Sequence, residues 1–199
     1  MHGKESADAT DHRLGGDHAR WLLADSQGAI DWQALGEEFN AYSLELLDSV
    51  DALLFGRVTY EQMKAWWPTP AGEGYSPEIA QRMNAAAKFV VSSQPQDLSW
   101  NNAHQLSGDL SEAIADLKAR PGKDIAIFGS GSIVAQLTDL GLVDEYRLTL
   151  NPVILGTGVG LFKDVRNRRP LRLTETRPFS SGAMLLCYSP DRPREEEGP

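Results

Sequence analysis

A glycine and serine turn near the middle of the sequence has the residue types of a phosphate site. It follows the apolar run Ile125 to Phe128 and precedes Ser132 to Leu140, whose apolar residues recur at helical spacing. Glycines at such a junction let backbone amides face an anion, and the helix N-terminus adds partial positive charge. An ordinary tight turn is the alternative interpretation. The residues concerned are Gly129, Ser130, Gly131, Ser132 and Ile133.

Two earlier apolar runs also end in polar or glycine residues. Ala52 to Phe55 is followed by Gly56 to Tyr60, which opens a predicted helix, and Phe89 to Val91 is followed by Ser92 to Gln94. In open α/β sheets, ligands lie outside the carboxyl ends of the strands. We therefore expect the three strand ends to converge on one ligand.

Taken together, these segments resemble the cofactor-binding segments of the dihydrofolate reductases. They are still more similar to the C-terminal reductase domains of the bacterial bifunctional deaminase-reductases of riboflavin synthesis, a family with stand-alone members. The resemblance extends from Leu23 to Tyr188. The segments that carry it are LFGRVTYE at 54–61, VVSSQP at 90–95, IFGSGSI at 127–133, GLVDEYRL at 141–148 and PVILGTG at 152–158.

The resemblance implies an NADPH site, and the residue types suit one. The planar guanidinium of Arg57 can donate hydrogen bonds to a phosphate, and the hydroxyl of Thr59 can donate one to another phosphate oxygen. A solvated arginine and a first-turn threonine are the alternatives. We predict NADP rather than NAD because Arg57 is present and no acidic residue follows the Phe89 strand. The remaining predicted cofactor contacts are Gly56, Ser92, Ser93 and Gln94.

The catalytic and substrate residues are harder to assign. Dihydrofolate reductases carry an acidic residue on the first helix, but the corresponding position here is Asn40, so dihydrofolate reduction is not expected. Glu37 lies one turn away and could orient a substrate, or it could be a solvated glutamate at the helix N-terminus. Trp66 and Trp67 could form a stacking wall for a planar heterocycle, or could pack under the loop that two prolines and two glycines predict over Pro68 to Tyr75.

The pattern of elements predicts a layered α/β protein, and the resemblance implies the three-layer α/β/α fold of dihydrofolate reductase. Apolar strands alternate with helices, which indicates a mostly parallel central sheet, and 171–176 with 184–189 reads as an antiparallel hairpin. We expect one domain over 21–189, between polar tails at 1–20 and 190–199. The resemblance implies a complete apolar first strand, whereas over His18 to Ala24 this strand is expected to be truncated or absent.

Composition narrows the possible partners. The net charge of −9 argues against nucleic acid and anionic membranes as partners. No apolar run is long enough to span a membrane and the N-terminus lacks a signal peptide, so we expect a cytoplasmic protein. We expect no metal site: His2, His12 and His18 are interpreted as solvated. The single cysteine, Cys187, is predicted to fill the core.

These observations favour an NADPH-dependent reductase that transfers hydride to a small planar substrate, pterin-like or pyrimidine-like and so similar to a riboflavin precursor. A nucleotide-binding module without turnover is one alternative. A protein whose first strand is completed by a partner is another. The family resemblance and the apolar loop Pro152 to Phe162 favour a homodimer.

Overall fold

The computed structural model describes residues 22–34 and 36–191. The polar segments predicted as tails, with His2, His12 and His18, lie almost entirely outside these residues. The strands are β1 Leu22–Asp25, β2 Val50–Gly56, β3 Ala87–Val91, β4 Ala103–Leu106, β5 Asp124–Ile127, β6 Tyr146–Leu150, β7 Gly158–Gly160, β8 Leu171–Pro178 and β9 Met184–Pro190. The helices are α1 Glu37–Ser49, α2 Arg57–Lys64, α3 Pro70–Tyr75, α4 Pro77–Ala85, α5 Leu110–Lys118 and α6 Gly131–Leu140.

A four-stranded parallel sheet in the order β4-β3-β2-β5 forms the centre of the molecule. Its middle strand β2 is apolar throughout its centre because helices cover both faces. Leu54 packs with residues of α5 and α6, whereas Leu53 and Phe55 pack with residues of α1, α2 and α4. The alternation of side chains along β2 therefore divides the core into two layers, and the predicted three-layer α/β/α fold is confirmed.

A second, antiparallel sheet has the order β6-β9-β8. Its hairpin, β8 and β9, is the one that the sequence predicts. One face packs on α1 through a third apolar cluster, in which Phe179, Leu185 and Cys187 meet Tyr42. Cys187 is buried there, as predicted, and burial raises the pKa of its thiol.

The first strand is short, as predicted, and it pairs in an unexpected place. β1 has four residues and forms an antiparallel pair with β7, which the sequence analysis did not predict. Among the described residues, β5 and β6 are therefore both edge strands of their own sheets. Helix α6 connects them and packs Leu137 into the cluster that contains Leu54 and Leu148.

Two local predictions were wrong or incomplete. We predicted a loop over Pro68 to Tyr75, but Pro70–Tyr75 is the helix α3. Thr69 caps it by accepting a hydrogen bond from Gly72 N at 3.3 Å, and Pro70 provides a preset backbone angle at the first position. We also missed β4, because its sequence AHQL has no continuous apolar run. Among the described residues, no helix has the length and apolar character needed to cross a membrane.

Candidate functional site

The three polar strand ends lie at one edge of the parallel sheet. β2 pairs with β3 on one side and with β5 on the other, so their carboxyl ends point the same way. The register places Gly56 opposite Val91 and Leu54 opposite Ile127. The segments that follow these strands, which contain Arg57, Ser92 and Gly129, are therefore brought to the same edge.

Ser130 joins the segment after β5 to the end of β2 and the start of α2. Its Oγ accepts a hydrogen bond from Gly56 N at 2.7 Å and donates to Thr59 Oγ1 at 2.9 Å. Gly129 and Ser130 both have left-handed backbone angles, with φ of 60° and 61°. Such a conformation is uncommon for serine, and the two hydrogen bonds hold it in place.

The left-handed turn leaves a row of backbone donors without partners. The amides of Gly129 to Ser132 donate to no described residue. Ile133 N and Val134 N, which come next, both donate to Ser130 O at 2.8 and 3.0 Å. Successive free amides at the N-terminus of α6 form a concave donor surface that favours an anion. The side chain of Ile133 is buried in the core and so anchors the turn to it.

Close packing requires the small residues at this turn. A Cβ atom on Gly56 would lie 2.9 Å from Ser130 Oγ, and one on Gly129 would lie 3.3 Å from Thr59 Cγ2. Any larger residue at Gly56 would therefore push Ser130 out of its place. The turn predicted from the glycines alone is thus tied to β2 by contacts across the sheet.

Arg57 stands at the start of α2, directly after Gly56. Its guanidinium pairs with Glu61 one helical turn away, with Nη1 3.2 Å from both carboxylate oxygens. Both side chains are about half exposed, at 51% and 50%. An exposed pair of this kind contributes little to stability, so Arg57 can exchange Glu61 for a phosphate at small cost.

The serine loop after β3 is held mainly by glutamines. Ser92 Oγ donates to Gln94 O at 2.9 Å and accepts from Gln96 Nε2 at 3.0 Å. Gln105 on β4 donates to Ser92 O and Gln94 O. The hydroxyl of Ser92 therefore shapes the loop, while Ser93 and the side chain of Gln94 are exposed. Sequence reasoning missed Gln96 and Gln105 because their role depends on the unpredicted strand β4.

The predicted catalytic residues lie on the first turn of α1. Glu37 is exposed, and Asn40 is partly buried and accepts a hydrogen bond from Tyr75 Oη at 3.4 Å. Tyr75 ends α3 and packs edge to face on Trp66, with ring centroids 6.5 Å apart. The structure therefore joins Asn40 to Trp66 through Tyr75, a residue that the sequence analysis had placed in a loop.

The two adjacent tryptophans have different environments. Trp66 is 44% exposed beside Tyr75. Trp67 is partly buried against the core layer of α1, α2 and α4, and its indole N–H donates to Met63 Sδ at 3.2 Å. Trp66 is thus available for a ligand, whereas Trp67 packs against the core.

The donor set fits the phosphates of a dinucleotide. Four free amides, a turn in which added side-chain atoms would collide, and an arginine at the next strand end are the features that such a group requires. Among the described residues, no group of three or more His, Cys, Asp or Glu side chains could hold a metal ion.

The parallel four-stranded sheet and the antiparallel hairpin define an α/β protein of the dihydrofolate reductase-like fold. Residues 22–185 match the family described as the RibD C-terminal domain. The chain belongs to this family, as the sequence motifs indicated.

Two curated relatives come from Bacillus subtilis (strain 168). The uncharacterized protein YyaP is 32% identical over 167 residues, which cover 84% of this chain and 87% of YyaP. The uncharacterized protein YwjB is 28% identical over 166 residues, which cover 82% of this chain and 88% of YwjB.

Solved structures show the same fold at low sequence identity. A putative riboflavin biosynthesis protein from Shewanella sp. PV-4 is 22% identical, with a TM-score of 0.67 over 87% of this chain and 94% of that chain. Dihydrofolate reductase from Enterococcus faecalis, complexed with NADP(H), is 15% identical, with a TM-score of 0.55 over 85% of this chain and 93% of that chain.

Proposed function

We propose that this protein is an NADPH-dependent reductase that transfers hydride to a small planar substrate, pterin-like or pyrimidine-like. The observation that carries the proposal is the row of free amides from Gly129 to Ser132 beside the carboxyl ends of β2 and β3. Membership of the RibD C-terminal domain family supports the same reaction class. The dihydrofolate reductase of the same fold that is complexed with NADP(H) supports the choice of cofactor.

The residues of the chain would bind and orient the two reactants. The amides of Gly129 to Ser132 would hold the pyrophosphate, and Arg57 with Thr59 would hold a further phosphate group. Ser93 and Gln94 would face the adenosine end. NADPH supplies the hydride when it is bound, and Trp66 with Asn40 would position the planar substrate.

Fluorescence titration with NADPH and NADH tests the cofactor. We expect NADPH to bind more tightly, and Arg57→Gln to weaken NADPH binding by about tenfold because it removes a charge-assisted contact. Glu61→Gln is the matched control, since it breaks the same ion pair but leaves Arg57 in place, and it should bind NADPH at least as well as the wild type. Tighter binding of NADH than of NADPH would contradict the proposed cofactor.

A nucleotide-binding module without turnover is the second candidate. It is favoured by the first turn of α1, where the position expected to be acidic is Asn40 and the nearest predicted acid, Glu37, is exposed. Oxidation of NADPH across a panel of pterins and riboflavin precursors separates the two. Turnover with one of these compounds supports the reductase, and tight NADPH binding with no oxidation in any of them supports the module.

We also propose that two copies of the chain associate as a homodimer. The loop between β6 and β7 carries exposed apolar residues, of which Ile154 is 98% exposed and Val153 is 42% exposed. Surfaces of this kind favour association. Sedimentation equilibrium should show a dimer that Ile154→Asp dissociates. If the wild type sediments as a folded monomer, both the dimer and the completion of its sheets by a partner are wrong. The cytoplasmic location stays a prediction.

A further inference from the structure

A cavity lies at the opposite end of α6 from the glycine turn. It measures about 340 Å³ and is bounded by the loop 165–169 and by Thr138, Tyr146 and Phe162. α6 has ten residues, which corresponds to about 15 Å at the rise of an α-helix. Thr138 is in its last turn and Gly131 is its first residue. The cavity is therefore separate from the proposed cofactor site.

Arginines dominate the polar side of this cavity. Arg166, Arg168 and Arg169 line it within four consecutive residues, in a chain whose net charge is −9. Arg169 Nη2 donates to Asp139 O at 2.6 Å, near the C-terminus of α6. The guanidinium groups of Arg166 and Arg168 have no acceptor within the described part of the chain. Two arginine forks are thus available to an incoming anion.

The carboxylate of Asp139 binds the backbone of the arginine loop. Asp139 accepts hydrogen bonds from Arg166 N at 3.1 Å and from Asn167 N at 3.0 Å. Partial burial opposes ionisation of Asp139, but these amides outweigh it, and the pKa of Asp139 is lowered. Asp139 therefore fixes the backbone of the arginine loop, and the charge of Arg166 also favours its ionised form, while neither Arg166 nor Arg168 donates a guanidinium hydrogen bond to it.

The other side of the cavity is aromatic and apolar. The rings of Tyr146 and Phe162 pack edge to face with centroids 5.8 Å apart. Tyr146 Oη and Thr138 Oγ1 share a buried hydrogen bond of 2.9 Å. Burial raises the pKa of Tyr146, so the phenol is neutral at pH 7 and presents no negative charge to a ligand. The cavity thus combines cationic donors with an apolar wall, at the small end of the size range of ligand pockets.

We propose that this cavity binds a small organic phosphate, with its phosphate on Arg166 and Arg168 and its apolar portion against Phe162 and Tyr146. This site is independent of the reductase activity proposed above. A phosphate accepts several hydrogen bonds in the geometry that arginine forks provide, and the rings exclude water from the remainder of the ligand.

Calorimetric titration of the full chain with phenyl phosphate, inorganic phosphate and phenol tests the site. We expect phenyl phosphate to bind more tightly than inorganic phosphate, because only the former also contacts the rings. Phenol should bind least. The double variant Arg166→Gln/Arg168→Gln should weaken phenyl phosphate binding by about tenfold or more. Arg120→Gln, which removes one arginine charge from an exposed site after α5, is the control and should bind as the wild type does.

The location of the ligand is checked separately. Nuclear Overhauser effects between the phenyl protons and the ring of Phe162 are expected, and Arg57→Gln should leave the affinity for phenyl phosphate unchanged. The proposal is overturned if the double variant binds as tightly as Arg120→Gln. It is also overturned if Arg57→Gln abolishes binding, because the ligand would then occupy the proposed cofactor site.

Discussion

The two main sheets of this protein differ in how their strands are buried. In the parallel sheet, Leu53, Leu54 and Phe55 of β2 are at most 1% exposed because helices cover both faces. In the antiparallel sheet, residues 171–176 of β8 are exposed, and the apolar contacts come mainly from β9 on the face toward α1. The parallel sheet can therefore hold a site with fixed geometry, whereas the outer strand of the hairpin is exposed to solvent.

Besides this apolar cluster, an ion pair and a hydrogen bond join the hairpin to α1. Arg177 on β8 pairs with Glu45 on α1, with Nη1 2.6 Å from Oε2. Ser180 N, in the hairpin loop, donates to Glu38 on α1. These groups are near the surface, where ion pairs are weak and respond to salt and pH. The two sheets should consequently respond differently to mutation and to acid.

The largest difference is expected from matched leucine substitutions. Leu53→Ala should lower the free energy of unfolding by about 3 kcal/mol because it leaves a cavity in the core. Leu173→Ala on β8, where the side chain is 49% exposed, should change it by less than about 0.5 kcal/mol. Urea denaturation of both variants measures the two values. Equal losses would remove the contrast between the sheets.

A buried lysine provides the next largest effect. Lys88 on β3 is fully buried, and its Nζ donates to the carbonyls of Asn84, Ala86 and Asn101 at 2.8, 2.8 and 3.0 Å. It also lies 4.6 Å from the ring centroid of Trp100. Burial lowers the pKa of Lys88 to about 8, while the three carbonyls and the ring oppose that loss of charge.

Lys88→Met should therefore destabilise the protein by about 2 kcal/mol or more, because three carbonyls lose their donor. Lys123→Met is the control, since Lys123 is exposed, and it should have little effect. Thermal unfolding of the two variants at pH 7 compares them. A Lys88→Met variant as stable as the wild type would show that the buried charge costs as much as its contacts contribute.

A smaller effect is expected at the glycine turn. Gly129→Ala should cost about 1 to 2 kcal/mol, because alanine is disfavoured at positive φ. Gly108→Ala is a matched control with φ of 88° and no atom near the added Cβ, whereas the Cβ at Gly129 meets Thr59. Only Gly129→Ala should also weaken NADPH binding. If both variants bind NADPH equally well in the fluorescence titration, the turn is not the phosphate site.

Acid should loosen the hairpin before it affects the parallel sheet. The amide of Ser180 lowers the pKa of Glu38, and the hydrogen bond from Arg177 lowers that of Glu45. A carboxyl group whose pKa is lower in the folded protein stabilises it above the unfolded pKa, and this contribution disappears as the pH falls through the folded pKa. The hairpin should therefore lose this stabilisation as the pH falls below 4.5, the ordinary pKa of glutamate.

Hydrogen exchange at pH 3 and pH 6 measures this local effect. Protection of the Ser180 amide should fall at pH 3, while that of Phe55 in β2 should remain. Glu38→Gln should abolish most of the change at Ser180, since glutamine has no charge to lose. Parallel losses of protection at Ser180 and Phe55 would instead indicate global unfolding.

Sequence patterns predicted the strands of the parallel core well, because each of these strands is recognisable from its own short segment of sequence. Strands β2, β3 and β5 are short apolar runs bounded by glycine or serine, and burial on both faces requires that composition. β4 and β7 lack such runs and become strands through pairing with β3 and β1. The prolines Pro68 and Pro70 favour a loop in this region, yet Thr69 caps Pro70–Tyr75 as a helix. Pairing and capping partners of this kind are not visible in a window of sequence.

The sequence alone determined the layered fold, the glycine turn and the family, because these depend on local periodicity and on short motifs. Only the tertiary structure decided that Ser130 bonds Gly56, 74 residues earlier in the chain, and so fixes the free amides at the edge of the sheet. It also brought the arginine loop to Tyr146 at the far end of α6. Both arrangements depend on contacts between residues distant in sequence, which only the packed core brings together.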